Sequence, residues 1–185
     1  MIQLYTNEKK LIQKAAKNDR KAQKHLFEKH SPRMLSVCRQ YVSPVESAEE
    51  LMLNGFFKAF KNLDGFNHAG SFEGWLRKIM VRECIDYLRK KNPFKYSQEL
   101  EDHTAVDLLE EECSSIGMDV LQTCIDELPD GYKSIFMMYA VEEYKHREIA
   151  AMLDISENTS KSQYRKAKIM LRERIAIHNN KVQEA

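Results

Sequence analysis

The chain has 185 residues, 43% of them hydrophobic and 31% charged, with a formal net charge of +1 at pH 7. That composition fits one ordinary domain or two small ones, and it sets aside collagen-like, disordered and disulfide-scaffold classes. No apolar run approaches the roughly 18 residues of a membrane span, and Met1 to Glu8 lacks the basic-then-apolar order of a secretory signal.

In chain order, the first helix signal is Ser31-Pro32, an N-cap residue before a proline at the first helical position. Met34, Leu35, Cys38, Tyr41 and Val42 follow at helical spacing. Ser47-Ala48-Glu49-Glu50 reads as a capping box opening a helix to about Leu63, with Leu51, Phe56, Ala59, Phe60 and Leu63 on its buried face. Asp64 to Gly70 is loop chemistry, because Gly and Asn accept left-handed backbone angles. Ser71 caps a long helix through Trp75, Ile79 and Leu88, which Asn92-Pro93 stops. Aromatic residues at helical spacing are usually core, and Trp75 is expected there. A helix from about Met118 ends at Leu128-Pro129, and another follows Asp130-Gly131 with Ile135, Phe136, Met137 and Tyr139. Sustained period-two alternation is absent, so the predicted class is all-α, in two small helical bundles.

The near-zero net charge hides a pattern. Residues 1–95 hold 19 Lys/Arg against 10 Asp/Glu; residues 96–118 hold seven acids and no Lys or Arg; residues 119–185 hold 10 basic and 11 acidic groups. This predicts a basic module over 1–95, a flexible acidic linker over 96–118 and a mixed module over 119–185. The linker's 23 residues reach at most ~75 Å at ~3.3 Å each, enough to join two modules about 20 base pairs apart on DNA.

The C-terminal module carries the sharpest pattern. Tyr144 to Leu153 reads as a short amphipathic helix, Asp154-Ile155-Ser156 as a tight turn with Asp154 left-handed, and Ser156 as the cap of a second helix from Glu157. Ala150 permits close approach and Ile155 plugs the angle, which is helix-turn-helix grammar. The second helix places Ser160, Tyr164, Ala167 and Leu171 on one face. Between 157 and 174 it carries six basic residues and two acids. A charged helix alone is usually a solvated surface. Behind a first helix and a tight turn, it fits the major groove of DNA.

On these residues the sequence resembles the sigma factors of RNA polymerase, sigma-70 family, in their two-domain extracytoplasmic-function (ECF) subfamily. Glu49-Glu50-Leu51 through Phe56 to Leu63 is similar to the helix that binds the clamp helices of the polymerase β′ subunit. Ser71 to Ile79 and Ile85 to Lys91 resemble the region that melts and reads the −10 element, and Tyr144 to Leu171 the domain that reads −35 DNA. The resemblance implies a region 2 bundle and a region 4 helix-turn-helix. It implies polymerase binding through Glu49, Glu50, Leu53, Asn54 and Phe57. It places −10 contacts at Asn67, His68, Arg77, Lys78, Arg82, Asp86, Arg89 and Lys90, with Asn67 and His68 as polar candidates for a flipped-base pocket. It places −35 contacts at Thr159, Lys161, Ser162, Gln163, Arg165, Lys166 and Lys168.

The implied partners are core RNA polymerase, through its β′ clamp helices and β subunit, promoter DNA and an anti-sigma factor. The chain departs from the family pattern in having Leu53-Asn54 for Gln-Glu, Arg82 for an Asn, Asp154 for the turn Gly and Ser160 for a Val. A buried Ser160 is expected to bond back to the carbonyl of Ser156.

A stand-alone helix-turn-helix regulator is the alternative, but it would not need residues 47–91. The six histidines are scattered without metal spacing, and there is no Gly-rich phosphate loop or nucleophile elbow. Neither catalysis nor a cofactor or metal is expected. Cys38, Cys84, Cys113 and Cys124 form no C-x-x-C pair, which suits a reducing cytoplasmic setting, and the resemblance implies nucleoid association within the holoenzyme.

Overall fold

The computed structural model describes residues 8–91 and 117–183. Among them are eight α-helices and no strand: α1 Glu8–Ala16, α2 Arg20–Tyr41, α3 Val45–Lys61, α4 Phe72–Lys91, α5 Met118–Asp126, α6 Asp130–Phe136, α7 His146–Leu153 and α8 Glu157–Gln183. The chain divides into two compact units, Met1–Tyr87 and Leu88–Ala185, with the boundary inside the last turn of α4. The Asn92-Pro93 stop and all but the last two residues of the acidic linker, 96–118, lie outside the described residues. No described helix is long and apolar enough to cross a membrane.

In the first unit α2 packs against both α1 and α3. Its buried stripe, Ala22, Leu26, His30, Met34, Val37, Cys38 and Tyr41, recurs every three or four residues along the whole helix. The expected start at Ser31-Pro32 is therefore wrong. The N-cap is Asp19, whose carboxylate accepts from Lys21 N and Ala22 N, and Pro32 sits inside α2. An internal proline costs a helix about 3 kcal/mol. Burial of so long a stripe outweighs it, because each fully buried large apolar side chain contributes about 1.5–3 kcal/mol.

The capping-box start of α3 also needs correction. Pro44 precedes the helix, which begins at Val45, and Ser47 lies inside it with its hydroxyl receiving that of Tyr87 at 3.5 Å. Pro44 fixes the entering backbone and its carbonyl accepts from Ala48 N, so the first turn closes before Ser47 is reached. The buried face is otherwise as expected, with Leu51, Phe56, Ala59 and Leu63 inside and Phe60 half-buried. At Gly55 α3 approaches α4 so closely that a Cβ would overlap the sulfur of Met80. Ser71 does cap α4, accepting from Gly74 N at 3.0 Å. Leu26, Met34, Leu76, Met80 and Ile85 form the centre of this unit.

The second unit wraps α5, α6 and α7 around α8. Ile135, Met138, Ile149, Leu153, Ala167 and Leu171 are its buried centre. α6 runs on into a wide π-type turn, Met137–Val141. Lys133 is buried, and its ammonium is neutralised by Asp126 at 2.6 Å. Asp154 adopts the expected left-handed conformation, with φ 57° and ψ 50°, ending α7. Ser156 caps α8 by accepting from Thr159 N at 2.9 Å.

Candidate nucleic-acid interface

Three exposed surfaces gather most of the candidate residues. On α3, Ala48, Leu51, Met52, Gly55, Phe56 and Ala59 turn inward. The 100° step per residue then leaves Glu49, Glu50, Leu53, Asn54 and Phe57 together on the opposite face. All five are exposed, and Leu53 and Phe57 stand at 54% and 69% exposure in the middle of that face. Two large apolar side chains one turn apart, rimmed by carboxylates, have the make-up of a protein-docking surface.

The second surface lies on α4 and the loop before it. Leu76, Met80, Val81, Cys84, Ile85 and Leu88 are buried. Trp75, Lys78, Ile79, Arg82, Asp86, Arg89 and Lys90 occupy the other arc. Lys78, Arg82, Arg89 and Lys90 are exposed, and Arg77 and Asp86 are half-buried. In the loop, Asn67 and His68 are exposed but shape the backbone: Asn67 Oδ1 accepts from Ala69 N, while His68 takes φ 61° with its ring edge-on to Phe66 at 4.7 Å.

Here the structure departs from the expectation for Trp75. Its ring leans on Phe66 and Phe72, with centroids 5.4 and 5.7 Å away, but the residue is only half-buried and forms a wall of a ≈ 330 Å³ cleft. Lys58, Asn62, Gly65, Ile79, Arg82 and Glu83 line the rest. Glu83 is nearly buried and held by Lys58 at 2.6 Å. Sequence reasoning missed Lys58, Asn62, Ile79 and Glu83. The i, i+4 and i+8 spacing of Trp75, Ile79 and Glu83, with Arg82 between, was the available signal.

The third surface is the exposed side of α8. Lys161 is exposed and paired with Glu157 at 2.7 Å, and its ammonium holds the Glu157 carboxyl below the usual range. Ser162, Arg165, Lys166 and Lys168 are half-buried; Ser162 Oγ donates to Thr159 O, and Lys168 Nζ lies 5.3 Å over the Tyr164 ring. Thr159 and Gln163, expected at the DNA, are each only 4% exposed, so the present surface does not offer them. Thr159 faces the cap, its hydroxyl sharing a 2.8 Å hydrogen bond with that of Ser156.

Ser160 is fully buried, but its expected bond back to Ser156 is not made. Its hydroxyl pairs with His146 Nδ1 at 2.9 Å, while its backbone N–H takes the Ser156 carbonyl. The imidazole, delivered by the first turn of α7 and stacked on Tyr139 at 4.3 Å, lies beside the helix and is the available partner. Burial and then the charge of Lys161 hold His146 below its ordinary pKa, with Glu157 opposing. Among the described residues no cluster of His, Cys, Asp and Glu could hold a metal.

Comparison with known proteins identifies the family. Residues 26–94 match the family profile of Sigma-70 region 2, and residues 118–171 match that of Sigma-70, region 4. The chain is 26% identical over 182 residues to the ECF RNA polymerase sigma factor SigW of Bacillus subtilis, covering 90% of this chain and 96% of the relative. It is 28% identical to the RNA polymerase sigma factor SigV of the same organism, over 76% of this chain and 84% of that one. In fold it is similar to the sigma factor RpoE of Bartonella quintana, crystallised with the anti-sigma factor NepR. The TM-score is 0.50 at 18% identity, covering 83% of this chain and 96% of that chain.

Proposed function

Because the chain belongs to the sigma-70 family and resembles its ECF members over most of its length, we propose that it binds core RNA polymerase and directs initiation at promoters of two elements. Residues 1–95 are the polymerase-binding and −10 module, 96–118 the tether and 119–185 the −35 module. The exposed α3 face with Leu53 and Phe57 at its middle is the observation that carries this assignment. A regulator acting alone on duplex DNA has no use for it.

In this scheme α3 docks on the β′ clamp helices through Leu53 and Phe57, with Glu49, Glu50 and Asn54 as the polar rim. Lys78, Arg82, Arg89 and Lys90 line a track for phosphates and the unpaired −10 strand, and Arg77 and Asp86 flank it. The loop with Asn67 and His68 stands at the entrance. α8 enters the major groove at −35 and presents Lys161, Ser162, Arg165, Lys166 and Lys168, where Lys and Arg donate to guanine edges. The chain performs no catalysis of its own; polymerase supplies the chemistry. It acts where polymerase acts, in the cytoplasm on nucleoid DNA.

An anti-sigma factor that covers these surfaces is its expected inhibitor, as NepR accompanies the Bartonella protein. Gel filtration with purified core enzyme tests the assignment. Co-elution, and run-off transcripts from promoter DNA that require the chain, are expected. Separate elution with no chain-dependent transcript would overturn it.

A further inference from the structure

We propose that the basic hairpin of α1 and α2 is a further DNA contact, a sequence-independent site for the phosphates of the promoter strand where it passes beyond the α4 track. This rests on the initiation function above and adds a surface to it. From Lys9 to Lys24 the chain carries seven Lys or Arg residues against one acid, and all seven are exposed. The acid, Asp19, serves the fold: its carboxylate caps α2 by accepting from Lys21 N and Ala22 N. Lys24 meets Glu28 at 3.7 Å with both side chains largely in solvent, a pair that screens little of the charge.

The cations are held as an array. Leu11, Ile12 and Ala15 of α1 and Ala22 and Leu26 of α2 are buried, which turns Lys9, Lys17, Arg20 and Lys21 outward. The turn between the helices is fixed by left-handed Asn18, φ 61°, and by Gln23 Nε2, which donates to Ala15 O at 3.1 Å. The carboxyl end of α1 and the amino end of α2 meet there, so the helix dipoles offset and the field is that of the side chains. Lys9 to Lys17 spans about 12 Å at ~1.5 Å per residue. One DNA strand presents roughly three or four phosphates over that length.

The make-up of the patch chooses its partner. Between Lys9 and Lys24, all of them described residues, no large apolar side chain is exposed, so neither a protein hot spot nor a membrane surface finds an anchor. Six of the seven cations are Lys, compact point charges that suit phosphates and carry no base readout. The patch also continues a surface already described. α1 packs on the short turn Leu63–Gly65, which leads through Asn67 and His68 into α4. A strand that runs along Arg89, Arg82 and Lys78 towards that loop meets α1 next.

Fluorescence anisotropy of the full chain with a labelled oligothymidylate, taken over a range of salt concentrations, counts these contacts. The combined variant Lys9→Gln, Lys17→Gln, Arg20→Gln and Lys21→Gln is expected to lower the slope of log affinity against log salt by about 2–3, at ~0.7 per phosphate on a single strand. Lys9→Arg, Lys17→Arg and Lys21→Arg together keep the charge and should keep the slope. Circular dichroism melting checks that both variants are folded. An unchanged slope in the glutamine variant would overturn the proposal. So would loss of its binding to phosphatidylglycerol vesicles with oligonucleotide binding intact, which assigns the patch to lipid.

Photocrosslinking in the holoenzyme separates this claim from the one it rests on. Gln13→benzoylphenylalanine places the probe on the exposed arc of α1 between Lys9 and Lys17. It is expected to crosslink promoter DNA that yields a chain-dependent start. Such starts without the crosslink reject the hairpin site and leave the initiation function standing. Absence of any chain-dependent start rejects the function.

Discussion

His30 shows how one side chain ties burial to acid sensitivity. It is 4% exposed, its ring edge meets Phe72 at 5.3 Å, and Nε2 lies 3.4 Å from a Glu8 carboxylate oxygen. Burial lowers its pKa, and Glu8 only partly restores it. The unfolded chain titrates near ~6.5. Between that value and the lower folded one, the unfolded chain binds a proton that the folded chain refuses. Stability is therefore full above ~6.5, falls as the pH drops through that window and levels off below the folded pKa. Urea midpoints measured from neutral to mildly acidic pH should decline in wild type and decline less in His30→Gln; an unchanged slope in the variant contradicts this. Glu8, whose pKa is lowered chiefly by its hydrogen bond from Lys29, contributes in a separate, more acidic window, above the usual carboxylate value, and loses that contribution below it. On the proposed −35 surface, Arg165→Ala should cost ~1–3 kcal/mol and relax selection at one −35 position. A loss spread equally over all sequences in a binding-site selection would assign Arg165 to phosphates instead.

Helices were legible wherever the cap and the apolar stripe agreed, and misjudged where proline stood between them. Ser71 and Ser156 cap the helices expected of them, because each precedes an unbroken stripe. Ser31-Pro32 has the same local chemistry, but the stripe of α2 had already begun at Ala22. Tertiary burial decides such cases, and it is not local. Restoring the helical donor by Pro32→Ala should stabilise the chain by about 2–2.5 kcal/mol, the ~3 kcal/mol helix penalty less the ~0.4–1 kcal/mol of entropy that proline removes from the unfolded chain. Chemical denaturation reads this directly, and a loss of stability would show that Pro32 is favoured where it stands. The exposed face of α3 makes the opposite prediction. Leu53→Asp and Phe57→Asp should change stability by no more than about 0.5 kcal/mol. They should weaken core polymerase binding by ~2 kcal/mol or more in a competition assay. Unfolding of these variants would mean the two side chains serve the fold.

Across the molecule, the all-α class and the order of a region 2 and a region 4 unit were legible in the sequence. The detailed surface was not. Trp75 looked like core because a helical repeat does not say how wide the buried arc is, and α4 leaves it on the rim beside Arg82. Ser160 could not be matched with His146, since their contact spans a turn whose geometry rests on the left-handed Asp154. Thr159 and Gln163, offered as reading residues by the family resemblance, are interior in the folded unit. In the proposed function all three surfaces serve one act, the placing of polymerase at a start site. The most direct measurement is the 5′-end map of transcripts made on genomic DNA by core enzyme with and without the chain. A discrete set of new starts, preceded by two shared sequence elements at fixed spacing, is the predicted result. A map that the chain leaves unchanged would contradict the account.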